Sequence, residues 1–311
     1  MMTLTNISRR ILQSLFVLWL AVTLAFLLMK LTPGDPAQTL LAASGASREE
    51  IAQRRAELGL DDPLFVQYGR YLLELLRGDL GESWLHGRPV GRVIGEQLPS
   101  TVELALSAGT VGALLGAALG TVAAIRRNTW LDTLVTTVSA VSLSTPTYWS
   151  GVLAILAFSL TLGWFPATGE GSLAQLVLPT LVLGFALSGS VARVVRARMV
   201  EVMDEPFVYA ARARGLRTWR IVLAHILRPA LPTALTVVAL QMGFLLGGAV
   251  VTESVFARRG IGRLAVEAIE WQDLPVVRGV ILIGALAYVL VNLAVDLAQV
   301  GLDPRLRRPS R

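Results

Sequence analysis

Apolar runs of about the length of a bilayer crossing, separated by arginine-bearing stretches, constrain this chain more than any other feature. From Ile11 to Leu31 the residues are almost wholly apolar, and a helix of about 20 such residues spans the hydrocarbon layer. Further runs cover 98–125, 131–162, 173–195, 230–251 and 275–300. Composition agrees: 54% of the 311 residues are hydrophobic and 16% are charged, against about 25% charged in a soluble domain. The expected fold is all-α, a polytopic membrane protein with about six transmembrane helices and a helical extracytoplasmic loop subdomain.

In order, the segments are an N-terminal tail (1–10), a first span (11–31), a long loop (32–97) and a membrane core (98–300). Within the core lies a basic loop (199–229), and 301–311 form the C-terminal tail. A cleaved signal sequence is the rival for the first span, but its apolar core exceeds the roughly 7–15 residues of such a segment and no small-x-small site follows. In the long loop, Pro33–Pro36 reads as a turn. Ser47 caps a helix to about Leu58, with Glu49 and Glu50 in its first turn. Phe65–Leu76 reads as an amphipathic helix ended by Gly78.

Within the core, Pro99 suits a first helical position, which puts Glu103 near the positive end of the second span. Gly112, Gly116 and Gly120 recur every fourth residue, a spacing that bares one helix face to a second backbone. Pro146 interrupts the third run and is expected to kink or split it. Ser144, Thr147, Gln241 and Glu253 are translocation-path candidates from polarity near the spans; a helix–helix or loop hydrogen bond competes for each. Thr252–Leu274 reads as a charged loop with a turn at Arg259–Gly262.

The net charge is +6. Basic residues collect in the N-terminal tail, at Arg126–Arg127, in 199–229 and in the C-terminal tail, whereas 163–172 has none. Basic loops stay in the cytoplasm, so both termini and the 199–229 loop are expected there. The absence of cysteine excludes disulfides and thiolate metal sites. The only histidines, His86 and His225, are far apart in sequence and form no metal or triad pattern. There is no Walker A sequence and no nucleophile–base pair, so the chain is expected to be non-catalytic; if it moves a solute uphill, another chain must supply the work.

The receiving element is expected between Asp204 and Pro232. Asp204 or Glu205 can cap a helix that starts at Pro206, Gly215 can end it in a left-handed turn, and Thr218 can cap a second helix. Ala210, Ala211 and Ala213 let the first helix approach a partner closely, and Arg212, Arg214 and Arg217 offer charge-assisted bonds to acids.

This stretch resembles the cytoplasmic coupling loop in membrane subunits of bacterial ATP-binding-cassette importers. That pattern is Glu-Ala-Ala, three residues, Gly, then nine residues to Ile-x-Leu-Pro. Ala210, Ala211, Gly215 and Leu227 match it, while Tyr209, His225 and Arg228 replace Glu, Ile and the final Pro. Ala211-Arg212-Ala213-Arg214-Gly215-Leu216 is similar to the peptide-importer version. So are Leu58–Leu64 with Gln67-Tyr68, Gly78–Gly81 with Ser83, Leu98–Leu104, Thr252–Phe256 and Gly260-Ile261-Gly262 of the dipeptide/oligopeptide/nickel permeases. The resemblance implies a permease subunit, in a bacterial inner membrane, of an ATP-driven importer of peptides, or of nickel, glutathione or another small solute. It further implies a second homologous permease, two cytoplasmic ATPase subunits that hold ATP and Mg, and an extracytoplasmic binding protein. Pro206, Tyr209, Ala210, Ala211, Arg212, Arg214 and Gly215 would couple to the ATPases. An ATP-independent transporter or channel is the alternative of another class; it would need coupling-ion groups or inverted repeats.

Overall fold

The computed structural model describes residues 4–31, 47–57 and 59–302. The Pro33–Pro36 turn and the arginines of the C-terminal tail lie outside them. The described residues form helices joined by short turns. Helix α1 is Leu4–Leu31, α2 Arg48–Glu57, α3 Leu64–Leu76, α4 Val90–Ile125, α5 Trp130–Ser144 and α6 Thr147–Ala154, which widens into a π-helical segment at Ile155–Thr161. Then come α7 Leu173–Met203, α8 Pro206–Ala213, the single turn α9 Thr218–Arg220 and a second π segment, Ile221–Leu227. The described residues end with α10 Arg228–Gly248, α11 Val250–Val255, α12 Ile261–Glu270 and α13 Leu274–Leu302.

Among the described residues, four helical stretches are long and apolar enough to cross a membrane: Val90–Ile125, Leu173–Met203, Thr218–Gly243 and Leu274–Ala294. Helices α5 and α6 with its π segment supply a further crossing if taken as one span bent by 104°. Helix α1 carries a shorter apolar stretch, Leu12–Leu28. The expectation of six spans therefore rests on α1 and the bent pair.

Packing centres on α4 against α7. A Cβ at Gly112 would lie 2.6 Å from Leu187, at Gly116 2.5 Å from Val191, and at Gly120 2.5 Å from the Ala192 carbonyl oxygen. Three glycines one turn apart thus let α7 lie against the α4 backbone, the close approach their spacing predicts. Leu104, Ala105, Ala108, Leu183, Leu187, Val191 and Val195 fill the contact. Gly189 receives α5, where a Cβ would meet Ser142 and the Ser139 carbonyl.

Several sequence expectations need correction. Helix α4 starts at Val90, after Pro89, so Pro99 lies inside it rather than at its head. At 36 residues it is about 54 Å long. Pro179 and Pro232 are likewise interior. Helix α7 continues past 195 to Met203, held at its start by the Ser172–Gln175 capping box. The charged 252–274 stretch contains two short helices rather than a loop. Local signals hold elsewhere. Ser47 and Glu50 exchange hydrogen bonds at the head of α2, with the Glu50 carboxylate taking the Ser47 N–H at 2.7 Å, which lowers its pKa. The third run breaks at Thr145-Pro146, with Thr145 extended as a residue before proline must be.

Gly116→Val is expected to force α4 away from α7 and to lower stability by about 1–3 kcal/mol or more. Gly284→Ala, where an added methyl meets nothing within 4 Å, should leave stability unchanged or slightly raised. Thermal unfolding of the purified chain in detergent compares them, and equal midpoints would contradict the packing.

Candidate functional site

Helix α8 sits at the end of the bundle where α4 and α7 finish. Glu205 is its N-cap residue, with extended backbone and no side-chain cap bond, and Pro206 fills the first position. Asp204 does not cap either; its carboxylate accepts from Arg127 Nη1 at 3.2 Å. Gly215 adopts φ +73°. Its N–H bonds the Arg212 carbonyl at 2.9 Å and the Leu216 N–H reaches the Ala211 carbonyl at 3.3 Å, the paired bonds of a Schellman stop. Arg217, not Thr218, is the N-cap of the next turn. That turn is no separate helix: it runs through the π segment into α10. Pro229 and Pro232 supply no N–H to the carbonyls four residues back, at His225 and Arg228, and the wide turn ends beside the first of these prolines.

The short helix has two faces. Val208 and Ala211 turn inward and join Val202, Ile221, Val222 and Ile226 in the same core cluster as the α4–α7 contact. Phe207, Tyr209, Ala210, Arg212, Ala213 and Arg214 are exposed. Ala211, which the sequence placed at the partner contact, is buried here, and its small size seats α8 on its own chain. Arg212, Arg214 and Arg217 form no ion pair among the described residues, and Arg220 lies over the Trp219 ring at 5.9 Å. Next to this end, Asp132 takes a two-pronged bond from Arg196, Nε–Oδ1 2.5 Å and Nη2–Oδ2 2.7 Å, and a third from the Asn128 N–H at 3.0 Å. This lock between α5 and α7 escaped sequence reasoning; an acid in the first turn of a basic-flanked span was its only signal.

At the opposite end, Glu253 is fully enclosed. Thr101 Oγ1 donates to its carboxylate at 2.7 Å and the Arg263 N–H does so at 3.0 Å, while Thr101 accepts the Ile261 N–H at 2.8 Å. Glu253 and Thr101 together cap α12, placing negative charge at its positive end. Glu253, a path candidate from its polarity beside a span, is thus enclosed among helices of its own chain. Arg258, also fully buried, donates to Glu103 at 2.8 Å and Ser100 at 3.1 Å. Glu103 thus serves as a partner across the bundle rather than at a helix head. Asp273 accepts from Ser83 Oγ at 2.5 Å and from the Trp84 and Leu85 N–H groups at 3.1 Å, pinning the loop before α4 to the head of α13. The other path candidates are scattered. Ser144 is exposed and Thr147 half-buried at the α5–α6 bend, while Gln241 donates to Ser190 at 3.3 Å between α10 and α7.

A family model described as the inner membrane component of binding-protein-dependent transport systems matches residues 116–308, and the model of its N-terminal part matches 2–105. The chain belongs to this family. It is the membrane permease subunit of an ATP-binding-cassette importer. The permease is 42% identical over 309 residues to a protein of Brucella abortus named putative peptide transport system permease protein, covering 97% of this chain and 98% of that one. It is 38% identical over 304 residues to the glutathione transport system permease protein GsiC of Salmonella paratyphi A, covering 98% and 99%. Among solved structures, a chain of the MetNI methionine ABC transporter superposes with a TM-score of 0.55 at 21% identity, covering 68% of the permease and 96% of that chain. At that identity the likeness supports the fold alone.

The Thr-Glu-Ser-Val-Phe and Gly-Ile-Gly stretches of the permease now have a shared physical reason. A Cβ at Gly260 would stand 2.1 Å from the Glu253 carboxylate, and one at Gly262 would stand 2.8 Å from the Val250 backbone. Glu253→Gln and Gly260→Ala are each predicted to cost about 1–3 kcal/mol. Because both disturb one contact, the double variant should lose less than the sum. Thermal unfolding checks this; additive losses, or none, would count against the cap.

Proposed function

We propose that α8 is the coupling helix through which a cytoplasmic ATPase drives this permease. The observation that carries the proposal is the split of its faces. Val208 and Ala211 fix it to the ends of α7 and the π segment, while Phe207, Tyr209, Ala210, Arg212 and Arg214 stand free for a partner. Tyr209 and Phe207 supply apolar area and the arginines supply bonds to acids. Pro206 and Gly215 fix where the helix starts and stops. Force on this face acts on the α4–α7 core with no flexible joint between.

In this reading both termini and α8 are cytoplasmic, as the arginine distribution favours. The permease is itself non-catalytic. ATP and Mg are held by two ATPase subunits, a second homologous permease completes the path, and an extracytoplasmic binding protein delivers the solute. Peptides are the proposed substrate class, supported by the 42% identical peptide permease, and the name of the 38% identical glutathione permease fits a short peptide as well. Ser144, Thr147, Gln241 and Glu253 remain path candidates, with Glu253 also serving as the cap of α12.

Gly215→Val tests the lever. A Cβ there meets nothing within 4 Å, so the penalty is backbone strain alone, about 1–2 kcal/mol. It should abolish ATP-dependent dipeptide uptake in vesicles carrying the complete transporter while membrane insertion stays normal. Tyr209→Ala should lower uptake with unchanged thermal stability. Normal uptake by both variants would overturn the assignment.

A further inference from the structure

Helix α3 has a face that none of the described residues covers. Taking about 100° per residue, it has three sides. Tyr68, Tyr71, Leu72 and Leu75 pack with Val22 and Phe26 of α1 and Leu282 of α13. Arg70 and Glu74 form a polar side, with Arg77 just beyond the helix. Between them, roughly 100° from the packed side, Phe65, Leu73 and Leu76 are 77%, 56% and 84% exposed. A helix standing in water has no reason to turn these three outward.

Its level in the bundle supplies one. Tyr68 Oη bonds Thr23 Oγ1 at 2.7 Å, and Phe26 stacks on Tyr71 with ring centroids 5.8 Å apart. Thr23 and Phe26 lie inside the apolar stretch Leu12–Leu28, about 3–8 Å short of its end. Beyond that end, Lys30 donates to Gln67 on the polar edge. On α1 itself, Leu24, Leu27 and Leu28 are exposed at this level, so the bare side of α3 continues the lipid-facing surface of a span. Arg278 lies over the Tyr71 ring at 5.0 Å, its charge held on the inner side of α3.

We propose that α3 is seated in the bilayer leaflet at the end opposite α8, with Phe65, Leu73 and Leu76 against acyl chains and Arg70, Glu74 and Arg77 toward headgroups and water. The connecting segment between the first two spans is then partly a membrane element rather than wholly an extramembrane one. It holds α1 against the head of α13 from the lipid side.

The chain lacks cysteine, so single probes are unambiguous. Leu76→Cys, Phe65→Cys and Arg70→Cys, each carrying an environment-sensitive nitrobenzoxadiazole label, are compared in the full-length chain with its transporter partners in phosphatidylcholine nanodiscs. Labels at 65 and 76 should emit at shorter wavelength, lose intensity when brominated phosphatidylcholine replaces the lipid, and resist aqueous iodide; the label at 70 should do the reverse. Two positions on one face keep the test readable if one variant fails to accumulate. Iodide quenching at 65 and 76 equal to that at 70, with no bromolipid effect, would overturn the proposal. So would an emission shift at these positions that appears only when the purified extracytoplasmic binding protein is added, which would make this a protein-docking face.

Discussion

The close backbone contact between α4 and α7 is the interaction on which the rest of the structure depends. Lipid tails are as apolar as leucine, so apolar burial alone does not draw two membrane helices together; tight packing does. Gly112, Gly116 and Gly120 provide that packing by leaving no room for a side chain against Leu187, Val191 and Ala192. The same core runs on through Met199 and Val202 to Val208 and Ala211. A push on α8 therefore meets a continuous packed body.

Charge is handled at the ends of this body. Asp132 and Arg196 lock α5 to α7 near α8, and Glu253, Arg258 and Asp273 lock the opposite end. Isolated buried charges are costly, but these carboxylates accept backbone N–H groups or face an arginine. Glu253 lies at a helix N-terminus, where negative charge is favoured. Placed so, the charges fix how the helices meet and leave the middle of the core to small and apolar residues. An ATP-driven permease needs that division. It must transmit a movement from one end to the other without ion-coupling groups of its own.

How much of this was readable in the sequence depended on how local the cause was. The glycine spacing, the left-handed stop at Gly215, the Ser47 cap and the break at Pro146 each act within a turn or two, and each is found where the sequence placed it. The start of α4 was misjudged because Pro99 read as a helix head, yet it sits inside the helix, where neighbouring helices make up for the lost bond. The inward turn of Ala211 depends on the π segment beneath it, which no local pattern announces. Glu253 looked like a path residue because it is polar beside a span; its partners Thr101 and Arg263 belong to two other helices. Arg258 drew no attention as one arginine in a charged stretch, and only folding buries it against Glu103.

The central claim is that α8 is welded inward and free outward, on the cytoplasmic side, for an ATPase. A single cysteine at Tyr209 in this cysteine-free chain tests it directly, using a membrane-impermeant maleimide on right-side-out and inverted vesicles with and without the ATPase subunits. Labelling should occur only in inverted vesicles stripped of ATPase and should be blocked when the ATPase rebinds. Labelling from the extracytoplasmic side, or labelling indifferent to the ATPase, would contradict the account.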